Sequence, residues 1–169
     1  MVSEADVRST LDGIDDPELP CSIVQLGLVE TVVIDGGAVA IELLPTFTGC
    51  PALAMIEDLV RRGVTAMADV DACTVTWRFQ PSWTPDRISE AGRKRLHDHG
   101  VTTPESCCGG ADAATVTLTT SAVTCPYCGA SDTRLDSPYG PTRCRQIHFC
   151  EACRNQFEHM KHVQGTPLD

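Results

Sequence analysis

Apolar residues recur at two different periods along the chain, and each change of period marks an element. Val7, Leu11 and Ile14 fall at helical spacing behind Ser3 and Asp6, an S-x-x-D start signal. Asp15-Asp16-Pro17 ends that helix, because the residue before a proline avoids the helical region. After the loop ELPCSIVQLG, two β-type runs, Leu28 to Ile34 and Ala38 to Leu44, flank the hairpin signal Asp35-Gly36-Gly37. Val39, Ile41 and Leu43 alternate with polar or small residues, so one face of the second strand is buried, and Pro45 stops it. Leu53, Ile56, Val60 and Val64 then mark an amphipathic helix to about Ala68. Alternation returns over residues 72–79, with Cys73, Val75, Trp77 and Phe79 on one face. Thr84-Pro85-Asp86 opens a last helix, Thr84 as cap and Pro85 at the first helical position, with Ile88, Ala91 and Leu96 on its apolar side.

The order helix, strand, strand, helix, strand, helix predicts an α+β fold. A hairpin joined by a strand that returns after a helix gives a small mixed three-stranded sheet with helices on one face. This unit covers residues 1–102. Residues 103–119, beginning TPESCCGGADAA, are small, Gly-rich and without period, and read as a linker. Residues 120–169 form a separate C-terminal module, and no internal repeat is visible.

Charge and cysteine content narrow the setting. The 169-residue chain has a formal net charge of -10. Residues 1–119 carry 8 Lys/Arg against 18 Asp/Glu, whereas residues 120–169 carry five of each. An acidic body repels phosphate backbones and anionic membranes, so no nucleic-acid or membrane partner is expected, while a basic protein partner suits it. The start, MVSEADVRSTLDG, lacks the basic and apolar regions of a secretory signal, and no apolar run reaches the roughly 18–20 residues of a membrane span, so a cytoplasmic protein is expected. Ten cysteines are many; with no export signal the compartment is reducing, so the paired CxxC motifs among them read as metal binding rather than disulfides.

Four of them carry the sharpest signal. Cys125-Pro-Tyr-Cys128, followed by Gly129, and Cys150-Glu-Ala-Cys153 are two CxxC knuckles separated by 21 residues. Two facing knuckles place four thiolates at tetrahedral corners, the ligand set of a structural zinc ion in a zinc ribbon. The strands between them are too short to fold alone, so metal binding would supply most of the folding energy. An iron–sulfur cluster on the same thiolates is the alternative, and Cys144, six residues before Cys150, is a candidate extra metal ligand, with a buried spare thiol as its plain reading. His148, His159 and His162 could ligate, but four cysteines already fill zinc's usual shell. A redox CxxC needs a βαβ context that is not near.

Cys50 stands between Gly49 and Pro51 at a strand-to-helix turn. Pro51 at the first helical position would make Cys50 the N-cap, where free amides and the helix dipole lower a thiol pKa and leave it reactive or ready for metal. A poor cap or core filler is the equal alternative. Asp15, Asp16 and Glu18 form an acidic loop that could supply an oxygen ligand or merely be a solvated turn. Thr46 and Thr48 could donate hydroxyls to a nearby sulfur or simply end a strand. Cys73 alternates with core residues and reads as inert, and Cys21, Cys107 and Cys108 have no spacing that forces a role.

Asp15-Asp16-Pro17-Glu18, SIVQLGLV (22–29) and TFTGCP (46–51) resemble the iron–sulfur assembly domain of SufT and of the eukaryotic cytosolic cluster-targeting machinery. PSWTPDRISEAGRKRL (81–96) and CPYCGA…SPYG…CR…FC…C…F resemble the narrower PaaD family, accessory proteins of the phenylacetyl-CoA monooxygenase, over nearly the whole chain. The resemblance implies a non-enzymatic role in maturing an oxygenase that has a di-iron subunit and a reductase with an iron–sulfur cluster and flavin. Carried over, Cys50 is the reactive cysteine and candidate iron or cluster contact, supported by Asp16, Glu18, Thr46 and Thr48. Cys125, Cys128, Cys150 and Cys153 bind one zinc ion, and Cys144 matches a recurring cysteine, whereas the Cys107-Cys108 pair departs from the family pattern. The implied partners are the monooxygenase subunits and iron–sulfur carrier proteins. One cysteine per domain cannot hold a cluster alone, so a transient or intersubunit iron–sulfur cluster would need a homodimer or a partner. A zinc-stabilised interaction module and an enzyme using Cys50 as nucleophile are the competing readings.

Overall fold

The computed structural model describes residues 2–104 and 123–161. Ser3 caps α1 (Glu4–Asp12): its hydroxyl accepts the Asp6 N–H at 3.2 Å, and the Asp6 carboxylate accepts the Ser3 N–H at 3.0 Å. This reciprocal pair satisfies two amides that have no partner inside the helix. The helix stops at Asp12 with Gly13 as cap, before the Asp16-Pro17 signal is reached. The loop after it folds back on itself, the Asp16 N–H donating to the Cys21 carbonyl at 2.9 Å.

β1 (Val29–Asp35) and β2 (Ala38–Leu43) pair antiparallel, with Gly36 in the turn at φ 58°. α2 (Leu53–Thr65) then crosses over, and β3 (Ala72–Trp77) runs parallel to β2, giving the order β1-β2-β3. Parallel neighbours require such a crossover. Val39, Ile41 and Leu43 of β2 turn inward against Ile56, Val60 and Val64 of α2 and Val7 and Leu11 of α1 in one apolar core. Val33, on the other face, is exposed. The fold is thus α+β with helices on one face of a mixed three-stranded sheet.

Two expectations need correction. The last helix does not run on from Pro85: residues Pro85–Arg87 make one 3₁₀ turn, the chain extends at Ile88, and α3 (Glu90–Asp98) starts afresh with the Ser89 hydroxyl accepting the Gly92 N–H at 3.1 Å. The break lets the Ser89 N–H reach the Gln25 carbonyl at 2.9 Å. Ala91 is exposed and Gly92 is buried in its stead. Phe79 lies past the end of β3 and is half exposed.

β4 (Val101–Thr102), β5 (Thr133–Ser137), β6 (Arg145–Cys150) and β7 (Gln156–Met160) form a second sheet in the order β4-β7-β6-β5. β5, β6 and β7 are an antiparallel ribbon. β4, at the end of the first module, pairs in parallel with β7, Val101 opposite Glu158 and Thr102 opposite His159. Met160 at the tip of β7 is fully buried in the apolar core of the first module. The two modules therefore share a sheet and a core side chain. Most of the expected linker, including Cys107 and Cys108, lies outside the described residues, as does His162. Among the described residues no helix is long and apolar enough to cross a membrane.

Candidate metal centre and the thiol at the module junction

The two knuckles fold alike. In the first, the Gly129 N–H donates to the Cys125 carbonyl at 2.9 Å; in the second, the Arg154 N–H donates to the Cys150 carbonyl at the same distance. Gly129 (φ 72°) and Arg154 (φ 63°) both take the left-handed conformation that closes such a turn. The next amide in each knuckle, Ala130 or Asn155, bonds to the sulfur of Cys128 or Cys153.

The ligand atoms of Cys125, Cys128, Cys150 and Cys153 all lie within 4.8 Å of one another. The Cys125–Cys153 and Cys128–Cys150 sulfurs are 3.7 and 3.6 Å apart. Sulfurs bound tetrahedrally at the usual zinc–thiolate length stand about 3.8 Å apart, so the cage already has the dimensions of a metal site. Its electrostatics point the same way. The Asn155 N–H, above all, holds the Cys153 thiol down to about 6. The Ala130 N–H acts likewise on Cys128, but burial and the sulfurs of Cys150, Cys153 and Cys125 overcome it and push that thiol up to about 12. Four sulfurs this close cannot all be anionic without a cation between them. Cys125 and Cys150 are buried against Phe157, which closes the cage from the ribbon side.

Cys50 is not the N-cap. α2 begins at Leu53 with Ala52 at the cap position, and Pro51 precedes both. Cys50 is held in a turn, its N–H donating to the Phe47 carbonyl at 3.1 Å, and the Ala52 N–H reaches its sulfur. The expected drop in thiol pKa is also reversed. Burial pushes the Cys50 thiol up, the Ala52 amide pulls against it, and the charges of Glu18, Asp16 and Cys144 add to the rise. Glu18 is the close neighbour, its Oε2 lying 3.7 Å from Cys50 Sγ.

Asp16 explains why Glu18 is there. Its Oδ1 accepts the Glu18 N–H at 2.8 Å and the Leu19 N–H at 3.0 Å, so the carboxylate folds the loop over Cys50 rather than facing water. Burial pushes its pKa up, the Glu18 and Leu19 amides hold it back, the Glu18 charge raises it further, and Arg145 lowers it. Thr46 and Thr48 do not meet this sulfur through any close contact described; with Phe47, Arg78, Phe79 and Trp83 they line a cavity of about 110 Å³ on the neighbouring loop.

Cys144 lies apart from the four-sulfur cage. It is buried, 3.0 Å from Thr142 Oγ1. Arg145, which no periodic pattern flags, is buried beside it, donating to Thr142 Oγ1 at 2.8 Å and paired with Glu158. His148 stacks on Phe157, and His159 Nδ1 sits 2.8 Å from the Thr102 hydroxyl, so both histidines serve the sheet rather than the cage.

A helix-and-hairpin domain that sets the Cys50 thiol beside the Glu18 carboxylate, fused to a four-cysteine ribbon, defines a class of two-module metalloprotein. A family model described as "Iron-sulfur cluster assembly protein" matches residues 4–77, and one described as "PaaD zinc beta ribbon domain" matches residues 109–161. Over 159 residues the chain is 30% identical to an Escherichia coli protein named as a putative subunit of 1,2-phenylacetyl-CoA epoxidase, covering 92% of this chain and 91% of that one. The chain belongs to the PaaD family. Its N-terminal half is 35% identical over 82 residues to the Staphylococcus aureus "Fe-S protein maturation auxiliary factor SufT", covering 48% of this chain and 93% of that one. Among solved structures, a Thermotoga maritima protein (TM0487) matches with a TM-score of 0.51 at 31% identity, over 56% of this chain and 94% of that one.

Proposed function

We propose that this protein is an accessory factor that helps build or repair the metal centre, iron–sulfur cluster or di-iron, of a phenylacetyl-CoA monooxygenase (epoxidase) complex, and takes no part in turnover. An accessory role in metal-centre maturation is supported by the iron–sulfur assembly domain and by the names its relatives carry. In this reading the four ribbon cysteines hold one zinc ion that fixes the module and docks the client. Cys50 makes transient contact with iron or a cluster received from an iron–sulfur carrier protein.

The observation that carries it is the 3.7 Å approach of Glu18 Oε2 to Cys50 Sγ, built by the Asp16 turn. A neutral thiol donating to a carboxylate is a pair whose shared proton an incoming metal cation can displace. The same carboxylate weighs against Cys50 as a free nucleophile, which needs a base and a stabilised thiolate. His97 and His99 of the first module are exposed on α3 or its end. The test is co-expression of the monooxygenase subunits with wild-type protein or Cys50→Ser, followed by iron analysis and specific activity of the purified oxygenase. Iron content and activity should fall severalfold with the variant while its ribbon zinc is unchanged. Full iron loading with Cys50→Ser overturns the proposal.

A further inference from the structure

The loops that leave the carboxyl ends of β2 and β3 meet over a cavity that the metal contact at Cys50 does not use. β2 and β3 are parallel neighbours, and the crevice outside the carboxyl ends of such strands is where open sheets bind their ligands. Here that crevice is the cavity of about 110 Å³ between residues 45–48 and 78–83. An apolar cavity of about 150 Å³ holds a benzene ring, whereas small-molecule sites run to roughly 300–1,000 Å³. The space therefore fits one ring or one branched side chain rather than a whole cofactor. Phe47, Phe79 and Trp83 supply its apolar walls. Trp83 is fixed, its Nε1–H donating to the Leu26 carbonyl at 2.9 Å, while Phe79 is 51% exposed. Arg78 is the one charged residue in the lining. Its Nη1 donates to Glu42 at 2.8 Å, and the rest of the guanidinium fork is left for a second acceptor. The same wall belongs to the turn that holds Cys50. The Phe47 carbonyl accepts the Cys50 N–H at 3.1 Å, and the Phe47 ring covers Gly49, where a Cβ would stand 3.0 Å from Cε1.

We propose that this cavity is a docking point for the client oxygenase, and that it takes a bulky apolar side chain of the client, aromatic or branched, with a carboxylate beside it. The apolar side chain fills the space between Phe79 and Trp83, and the carboxylate meets Arg78. Charge decides for that chemistry. In a chain of net charge -10, with an acidic loop at Cys50, the only charged group lining this cavity is a cation, which admits a carboxylate and fixes which way round the partner sits. Aromatic side chains with an arginine at their edge are also the residues that anchor protein interfaces. Through Phe47, a client seated here lies against the turn that carries Cys50. The inference deepens the proposed assembly role and rests on it for the identity of the partner. It adds that the first module, and not the ribbon alone, holds the client.

The full-length, zinc-loaded protein is mixed with the purified monooxygenase subunits, and affinity is read by calorimetry at low and high salt. Hydrogen exchange locates the contact, and the amides of residues 45–50 and 78–83 should gain protection in the complex. Phe79→Ala removes a half-exposed ring and should weaken binding by at least about tenfold. Thr48→Trp, which fills the cavity from an exposed position, should do the same. Arg78→Gln should weaken binding severalfold and flatten its salt dependence. Val33→Ser, on the open face of the sheet, should bind as wild type, with zinc content and far-UV circular dichroism as folding controls for every variant. Cys50→Ser should bind the client normally while failing to load it with iron. The proposal is overturned if the subunits do not bind wild-type protein, if the two loops gain no protection, or if either Phe79→Ala or Thr48→Trp binds as wild type does. An unchanged salt dependence in Arg78→Gln overturns the carboxylate. Normal binding by Phe79→Ala, with iron loading still lost in Cys50→Ser, rejects the docking point but leaves the assembly role standing. Normal oxygenase maturation with Cys50→Ser sinks the assembly role whatever the binding gives.

Discussion

The cage of Cys125, Cys128, Cys150 and Cys153 and the surroundings of Cys50 are built on opposite plans. In the cage, each sulfur is delivered by a local turn, and the two turns repeat the same hydrogen bond and the same left-handed residue. Around Cys50, one neighbour is local, the Ala52 amide two residues on, and the other, Glu18, comes from the loop after α1, 32 residues earlier. The first plan gives a closed shell suited to holding an ion permanently. The second gives a sulfur with one carboxylate beside it and no closed shell of ligands, which suits a contact that is made and released.

The largest expected effect breaks the first plan. Cys150→Ala should cost the ribbon its metal, a contribution on the order of 10 kcal/mol in small zinc modules. Metal content should drop to baseline and the β6 and β7 amides should lose hydrogen-exchange protection, while the hairpin β1–β2 keeps its own. Persistent protection of β6 without metal would mean that packing, not the cage, folds the ribbon.

Met160→Ala tests the junction instead. Removing a fully buried Met typically costs about 3 kcal/mol, and denaturant unfolding should show that loss with the metal still bound. A change under about 1 kcal/mol would mean that the modules stand independently.

A smaller effect lies in the β4–β7 pairing. Burial, with a contribution from His148, holds the His159 pKa down to about 4 from the ordinary 6.5, so folding favours the neutral ring. As pH falls below about 6.5 the unfolded chain takes the proton first, and stability present above that pH drains away down to about 4. After allowing for water at the ring, the loss is ~2 kcal/mol. His159→Gln should flatten that stretch of the stability–pH curve relative to wild type.

The smallest change should leave both metal plans untouched. Ser89→Ala removes the cap of α3 and should lower stability by about 1 kcal/mol in thermal melts, with metal content unchanged.

What can be read from the chain is what neighbours in sequence decide. The hairpin at Gly36, the cap pair of Ser3 and Asp6 and the two CxxC knuckles each depend on contacts within a few residues, and each is present in the structure. The elements that depart from expectation are those that distant atoms control. A helix start at Pro85 is locally plausible, yet the chain breaks at Ile88 so that α3 can press on the Gln25 carbonyl, where a side chain at Gly92 would stand 2.8 Å from that oxygen. Cys50 reads as a cap because Pro51 suits a first turn, but the helix starts later and the thiol is half-buried against an acidic loop. The link from Thr102 to His159 crosses a segment without periodicity, so nothing short-range announces it.

That link has a bearing on how the molecule comes into being. The first module closes its interior with Met160, a side chain encoded 58 residues after Thr102, the end of β4, and β4 finds its only ladder partner among the described residues in β7. A nascent chain emerging from the ribosome would carry the helices and hairpin of residues 4–98 with a gap in their packing until Met160 is added. The last strand of the ribbon arrives as a late keystone for the earlier half.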